Sequence, residues 1–135
     1  MQGTAKSIEA RFVSTFVVRE KRARYVELLG KPRHRRKITA RLDHHFDYDI
    51  EMASEVPNGV DVAALLRSRG APATCHVMAS QHALDGRDVP FDVAMDELFA
   101  EGFGYVVICD PERLALYQPE APSEAVLLEV AGRRR

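Results

Sequence analysis

The sequence predicts an α+β domain: an N-terminal basic helical hairpin, then a small mixed or antiparallel sheet of about four strands with helices on one face. Three observations predict it. Residues 18–46 carry helical periodicity broken once, at Leu29-Gly30-Lys31-Pro32. Residues 105–109, Tyr-Val-Val-Ile-Cys, form the short, apolar, β-branched run that suits a strand. Two further apolar runs, 114–118 and 125–130, follow turn-forming stretches at Asp110-Pro111 and Pro119–Ser123, as in an antiparallel meander.

In chain order, residues 1–7 look loose, and the paired apolar residues Phe12, Val13, Phe16, Val17 and Val18 favour a helix behind Glu9, Ala10 and Arg11. From Val18 to Leu29, Val18, Tyr25, Val26, Leu28 and Leu29 share one broad helical face. Gly30 is expected to end that helix in the left-handed conformation, which glycine adopts at little cost. Pro32 suits the first turn of the next helix, where a missing N–H costs nothing. In that helix Ile38, Leu42 and Phe46 recur four residues apart, a narrow apolar stripe with a basic back.

Residues 51–59 read as a linker ending in the Asn58-Gly59 turn signal. Asp61 can cap a short helix carrying Val62, Leu65 and Leu66, which Gly70 ends. Residues 73–79 read as a strand of the same sheet, and Asp85-Gly86-Arg87-Asp88 as a turn. Pro90 opens a helix with Phe91, Met95, Leu98 and Phe99 on one side. The organisation expected is a helical region 1–50, the linker, and an α+β region 60–135, all within one domain.

Composition narrows the function classes. A chain of 135 residues, 46% hydrophobic and 29% charged, can bury a core without disulfides or metal staples. No apolar run approaches the ~20 residues of a membrane span, so no membrane partner is expected. The first residues lack the apolar core of a secretory signal. Cys75 and Cys109 are expected to be reduced thiols and the cytoplasm is the expected compartment. The net charge of −1 hides an asymmetry. Residues 1–50 hold twelve Lys/Arg against six Asp/Glu, a balance of +6; residues 51–135 hold seven against fourteen, a balance of −7.

The basic hairpin is the most informative feature. Arg33, Arg35, Arg36, Lys37 and Arg41, extended by Arg19, Lys21, Arg22 and Arg24, could neutralise the phosphates of RNA or DNA. The competing reading is a solvated face, or one satisfied by the acidic second half. Asp43, His44, His45, Asp47 and Asp49 bring metal-ligand side chains together, yet adjacent His44 and His45 point about 100° apart on a helix. A site using His44, His45 and Asp47 therefore needs a more distant ligand, and the plainer reading is a helix end. Cys75 and His76 are neighbours on a strand and face opposite sides, so they cannot act as a pair. The acids Asp85, Asp88, Asp92, Asp96, Glu97 and Glu101 gather around the Pro90 helix. They are favourable with its dipole and are expected to meet the basic hairpin.

The function these residues suggest is a small non-enzymatic interaction module whose basic hairpin docks on RNA, DNA or an acidic protein surface. No cofactor is expected. The alternatives are a small metal-dependent enzyme or metalloprotein, holding a divalent transition metal at His44, His45 and Asp47, and a structural or regulatory subunit that pairs with a partner or a second copy.

Overall fold

A computed structural model describes residues 4–42, 47–57, 59–80, 83–99, 104–119 and 124–130, with backbone alone at 4–7 and 99. The described chain begins with three helices: α1 (Thr4–Phe16), α2 (Arg22–Leu29) and α3 (Pro32–Leu42). A short strand β1 (Ala53–Glu55), helix α4 (Val62–Ser68), strands β2 (Thr74–Met78) and β3 (Asp88–Pro90) and helix α5 (Phe91–Phe99) follow. Strands β4 (Tyr105–Asp110), β5 (Leu114–Gln118) and β6 (Val126–Glu129) complete it.

All six strands join one antiparallel sheet in the order β1-β6-β5-β4-β2-β3. β4, β5 and β6 form the expected meander, and β2 lies against β4 as expected. Tracing directions through the antiparallel pairings, β1 runs parallel to β2 and β3 runs parallel to β4. Such links cannot be tight hairpins and need crossovers, which α4 and α5 supply.

Strand alternation then builds two cores. Cys75, Val77, Val107, Leu114, Leu116 and Leu127 point to one face, where α4 and α5 cover them with Leu66, Phe91, Met95 and Leu98. Met78, Val106, Ile108, Ala115, Tyr117 and Leu128 point to the other, under Phe12, Phe16, Tyr25, Leu29, Ile38 and Leu42 of α1, α2 and α3. Helices therefore cover both faces of the sheet, not one. Runs such as Tyr105–Cys109, buried on both faces, read as continuous apolar stretches for this reason.

The sheet has six strands where about four are expected. The two additions, β1 and β3, are three residues each, too short to show a period, and both are edge strands. β1 lies within the stretch read as a linker and pairs Ala53 with Leu128. α1 starts at Thr4, within the segment read as loose. Gly30 stays right-handed, at φ −80°, and its N–H returns to the Glu27 carbonyl at 3.2 Å. The chain turns directly into α3, so no left-handed residue is needed there. Asp61 caps α4 by accepting from Ala64 N at 3.0 Å, and Gly70 follows α4 at φ +100°.

Ile108 is 1% exposed in the core under the hairpin. Ile108→Asp should cost about 4 kcal/mol or more by burying an unpaired carboxylate. Val93→Asp, at a position of α5 that is 42% exposed, should change stability by about 0.5 kcal/mol or less. The shift in urea midpoint for each variant checks the pair.

Candidate functional site

Two stripes of the helical layer contain a charge where an apolar residue would be expected. On α1 the inward positions are Glu9, Phe12, Val13 and Phe16, and on α3 they are Arg35, Ile38, Thr39 and Leu42. Glu9 and Arg35 face each other across these stripes and form a bidentate pair. Arg35 Nη1 donates to Glu9 Oε1 at 2.6 Å and Nη2 to Oε2 at 2.8 Å. The side chain of Glu9 is 3% exposed.

Alternation along β2 sends His76 to this same face, opposite to Cys75. His76 Nε2 lies 2.7 Å from Glu9 Oε2, and Nδ1 lies 2.7 Å from Asp88 Oδ1 on β3. Asp85 closes the cluster from the turn before β3. Arg35 Nε donates to Asp85 Oδ2 at 2.8 Å, and Ala79 N donates to Oδ1 at 2.9 Å. Gly86 makes this turn possible at φ +78°, and a Cβ there would stand 3.4 Å from the Arg35 guanidinium.

The protonation states follow from the surroundings. Burial alone would raise the Glu9 carboxyl, but the hydrogen bonds and charges of Arg35 and His76 outweigh it and hold Glu9 below its ordinary range. Burial alone would depress His76, but hydrogen bonds to Glu9 and Asp88, with their charges, raise it. In its protonated form the ring donates to both carboxylates. This chain of charges ties α1, α3, β2 and β3 together.

A second knot forms where the chain leaves α3. Asp47, 1% exposed, accepts from Lys21 Nζ at 2.7 Å and from Tyr25 Oη at 2.6 Å, and Arg41 Nε stands 3.3 Å away. Arg41 Nε also donates to Tyr25 Oη at 2.7 Å. Burial works against the Asp47 carboxylate, but Lys21, Tyr25 and Arg41 keep its pKa lowered. Backbone bonds from Val18 N to Asp47 O and from Asp49 N to Phe16 O, each 2.9 Å, fasten the same junction.

These contacts redistribute the residues expected to bind a polyanion. Arg35 is withdrawn into the buried cluster, and Lys21 and Arg41 are engaged by Asp47. Arg22 Nε donates to the Val17 carbonyl at 2.7 Å. Arg36 is exposed and reaches the Ser80 carbonyl only at 3.4 Å. Arg19, Arg24, Arg33 and Lys37 are exposed and have no acidic partner among the described residues. Of the metal-ligand residues, His44 and His45 lie outside the described residues, as does Phe46 of the predicted stripe. Asp47 is engaged by Lys21, Tyr25 and Arg41. Among the described residues no group of three or more His, Cys, Asp or Glu could hold a metal ion.

The acidic helix does not cover the basic one. α5 packs on one face of the sheet and α3 on the other. Among the described residues of this acidic set, Asp85, from the turn ahead of β3, reaches across to Arg35, while Asp92 pairs with Arg67 of α4. The sequence places Arg35 among the polyanion-binding cations and gives Glu9 no role beyond leading into a helix, so the buried cluster is not anticipated. The available signal was their spacing: Glu9 stands three and four residues ahead of Phe12 and Val13, and Arg35 three residues ahead of Ile38.

Comparison with known proteins finds no matching family model, no matching curated protein and no matching solved structure.

The cluster gives stability a definite pH dependence. Glu9, lowered from its ordinary 4.5, stabilises the fold above that value, and the contribution is lost as pH falls through its folded pKa. His76, raised from 6.5, stabilises below that value, and its contribution is lost as pH rises through its folded pKa. Unfolding free energy measured against pH should therefore be highest between the two ordinary values, with His76→Gln removing the alkaline decline. Glu9→Gln leaves buried Arg35 and His76 short of their counter-ion and should cost about 3–5 kcal/mol in urea unfolding at neutral pH.

Proposed function

We propose that this chain is a non-enzymatic interaction module whose α2–α3 hairpin docks on the phosphate backbone of RNA or DNA. The observation that carries the reading is the outer side of α3. Arg33, Arg36 and Lys37, at i, i+3 and i+4, are exposed on one helix face while Ile38 and Leu42 are buried beneath the sheet-facing side. Arg24 of α2 and Arg19 ahead of it add exposed charge.

The bland account of this cluster is weaker than the sequence suggests. Cations in the first turn of a helix oppose its dipole, so Arg33 does not serve the stability of α3. The acidic helix α5 lies beyond the sheet and leaves these charges unneutralised. The N–H groups of His34 and Arg35 at the start of α3 are taken up by the Lys31 carbonyl, at 2.9 and 3.0 Å, so the attraction for phosphate rests on the side-chain cations. No aromatic residue shares the face of Arg33, Arg36 and Lys37, so binding goes through backbone charge without base stacking.

An enzymatic reading has less in its favour. Both His76 nitrogens are committed to carboxylates, and burial pushes the Cys75 and Cys109 thiols up, to about 11 and about 12, away from a nucleophilic thiolate.

Labelled single-stranded and duplex oligonucleotides titrated with the protein test the proposal. Binding should be weak, tolerant of sequence and steeply salt-dependent, and each contact removed should lower the log–log salt slope by roughly 0.7 to 0.9. The variant Arg24→Gln, Arg33→Gln, Arg36→Gln and Lys37→Gln should lose binding with its thermal midpoint nearly unchanged. Arg41 is left in place because it supports Asp47. Arg35→Gln should behave in the opposite way, losing stability because it breaks the buried cluster. Absence of affinity for RNA and DNA at low salt would overturn the proposal, and binding to acidic polypeptides alone would redirect it to a protein partner.

A further inference from the structure

We propose that Cys75 and Cys109 are a redox pair, closing a reversible cross-strand disulfide when the folded protein meets hydrogen peroxide. β2 and β4 are antiparallel, with His76 opposite Ile108 and Val77 opposite Val107. One further step in that register sets Cys75 against Cys109. Directly opposed residues of antiparallel strands have Cα atoms about 4.5–5.5 Å apart, inside the span of about 4.4–6.8 Å that disulfides bridge.

Three independent features support the pairing. Both residues are free, buried cysteines and both project into the same apolar cluster beneath α4 and α5. Cys109 sits at an irregularity of β4, where pairing with β5 shifts register between Ile108 and Asp110. A bulge of this kind loosens the ladder and gives the strand local freedom to bring the sulfurs together. A cavity of about 180 Å³ is lined by both cysteines along with Thr74, His76 and Asp88. Ile8 and Ile108 line it as well, so it opens on the helical-layer side of the sheet, next to the segments of β2 and β4 that carry the cysteines.

The chemistry balances within the pair and the oxidant. One thiolate attacks a peroxide oxygen and breaks the O–O bond. Hydroxide leaves, takes up a proton and departs as water, and the first cysteine becomes a sulfenic acid. The second thiolate attacks that sulfenic sulfur, forming the S–S bond and expelling hydroxide, which leaves as a second water. Two thiols lose two electrons in all, and one hydrogen peroxide gains them. Burial first, then the Asp88 charge, raises the Cys75 pKa; burial, the neighbouring Cys75 and Asp110 raise that of Cys109, with Arg113 opposing. His76, the other charged group at the cavity, faces the opposite side of β2 and is neutralised by its two carboxylates. Oxidation should therefore be slow at neutral pH and faster in alkaline buffer. The bond would staple β2 to β4 and close a loop containing β3 and α5.

Peroxide treatment of the 135-residue chain in mildly alkaline buffer, followed by intact mass and peptide mapping, tests the pair independently of the polyanion surface. The expected result is loss of two hydrogens, a linked peptide joining Cys75 to Cys109, and return to the starting mass with dithiothreitol. Circular dichroism should stay unchanged, and the thermal midpoint should rise by several degrees. Cys75→Ala and Cys109→Ala should each gain oxygen on the remaining thiol instead. Oxygen addition to the wild-type cysteines with no linked peptide would overturn the proposal. So would a linked peptide that appears in urea but not in the folded protein.

Discussion

The Glu9 carboxylate, buried and held by three nitrogen donors from two other elements, is the contact on which the arrangement of the helical layer depends. Two donors come from Arg35 on α3 and one from His76 on β2. Moving three charges out of water is expensive, and the attraction between them repays that cost only when the geometry is good and the remaining polar atoms find partners. Both conditions are met here. Arg35 spends its other donors on Asp85, and His76 spends its second nitrogen on Asp88. Apolar packing between α1, α3 and the sheet is tolerant of small slides. A bidentate pair at 2.6 and 2.8 Å is not, so the cluster fixes where α1 and α3 sit on β2 more than it adds net stability.

The same cluster divides the basic segment in two. Arg33, Arg35, Arg36 and Lys37 look equivalent in the sequence, but one turn of α3 separates their fates. Arg35 shares the inward stripe with Ile38, Thr39 and Leu42, whereas Arg33, Arg36 and Lys37 share the outward one. The junction at Asp47 repeats the principle at the other end of the hairpin, holding Lys21, Tyr25 and Arg41 on one carboxylate. Among the described residues, five of the nine cations expected to meet a partner thus keep no strong internal contact: Arg19, Arg24, Arg33, Lys37 and the loosely held Arg36.

How much could be read from the sequence depended on the length of each signal. The hairpin, the α5 helix, β2 and the terminal meander are long enough to show a period or a clear apolar run, and they were legible. β1 and β3 are three residues each, and no period can be counted over three residues. The number of helical layers was also legible in principle. A strand covered on one face alternates, while Tyr105–Cys109 and Leu114–Tyr117 do not, which calls for cover on both sides. The buried cluster was harder to read because it depends on β2 and α1 meeting across 67 residues of chain. Only the stripe positions of Glu9 and Arg35 hinted that they belonged inside.

The near-neutral total charge is a poor guide to what the outer face of α3 presents. Exposed acids of α5 and exposed cations of α3 lie on opposite sides of the sheet, two layer spacings of roughly 10 Å apart. At physiological ionic strength the Debye length is about 8 Å, so around the solvent-exposed rim these charges are largely screened from one another. A polyanion approaching the hairpin meets a local field set by Arg33, Arg36 and Lys37, and the acids behind the sheet scarcely reduce it. They matter in a different way. A domain whose opposite faces differ in charge would take a preferred orientation toward an anionic surface, with the hairpin forward and α5 away. The three-layer fold thus sets Arg33, Arg36 and Lys37 of α3 and Asp92, Asp96 and Glu97 of α5 on opposite sides of the sheet, while Asp85 and Asp88 of the second half cross to the cluster under the hairpin.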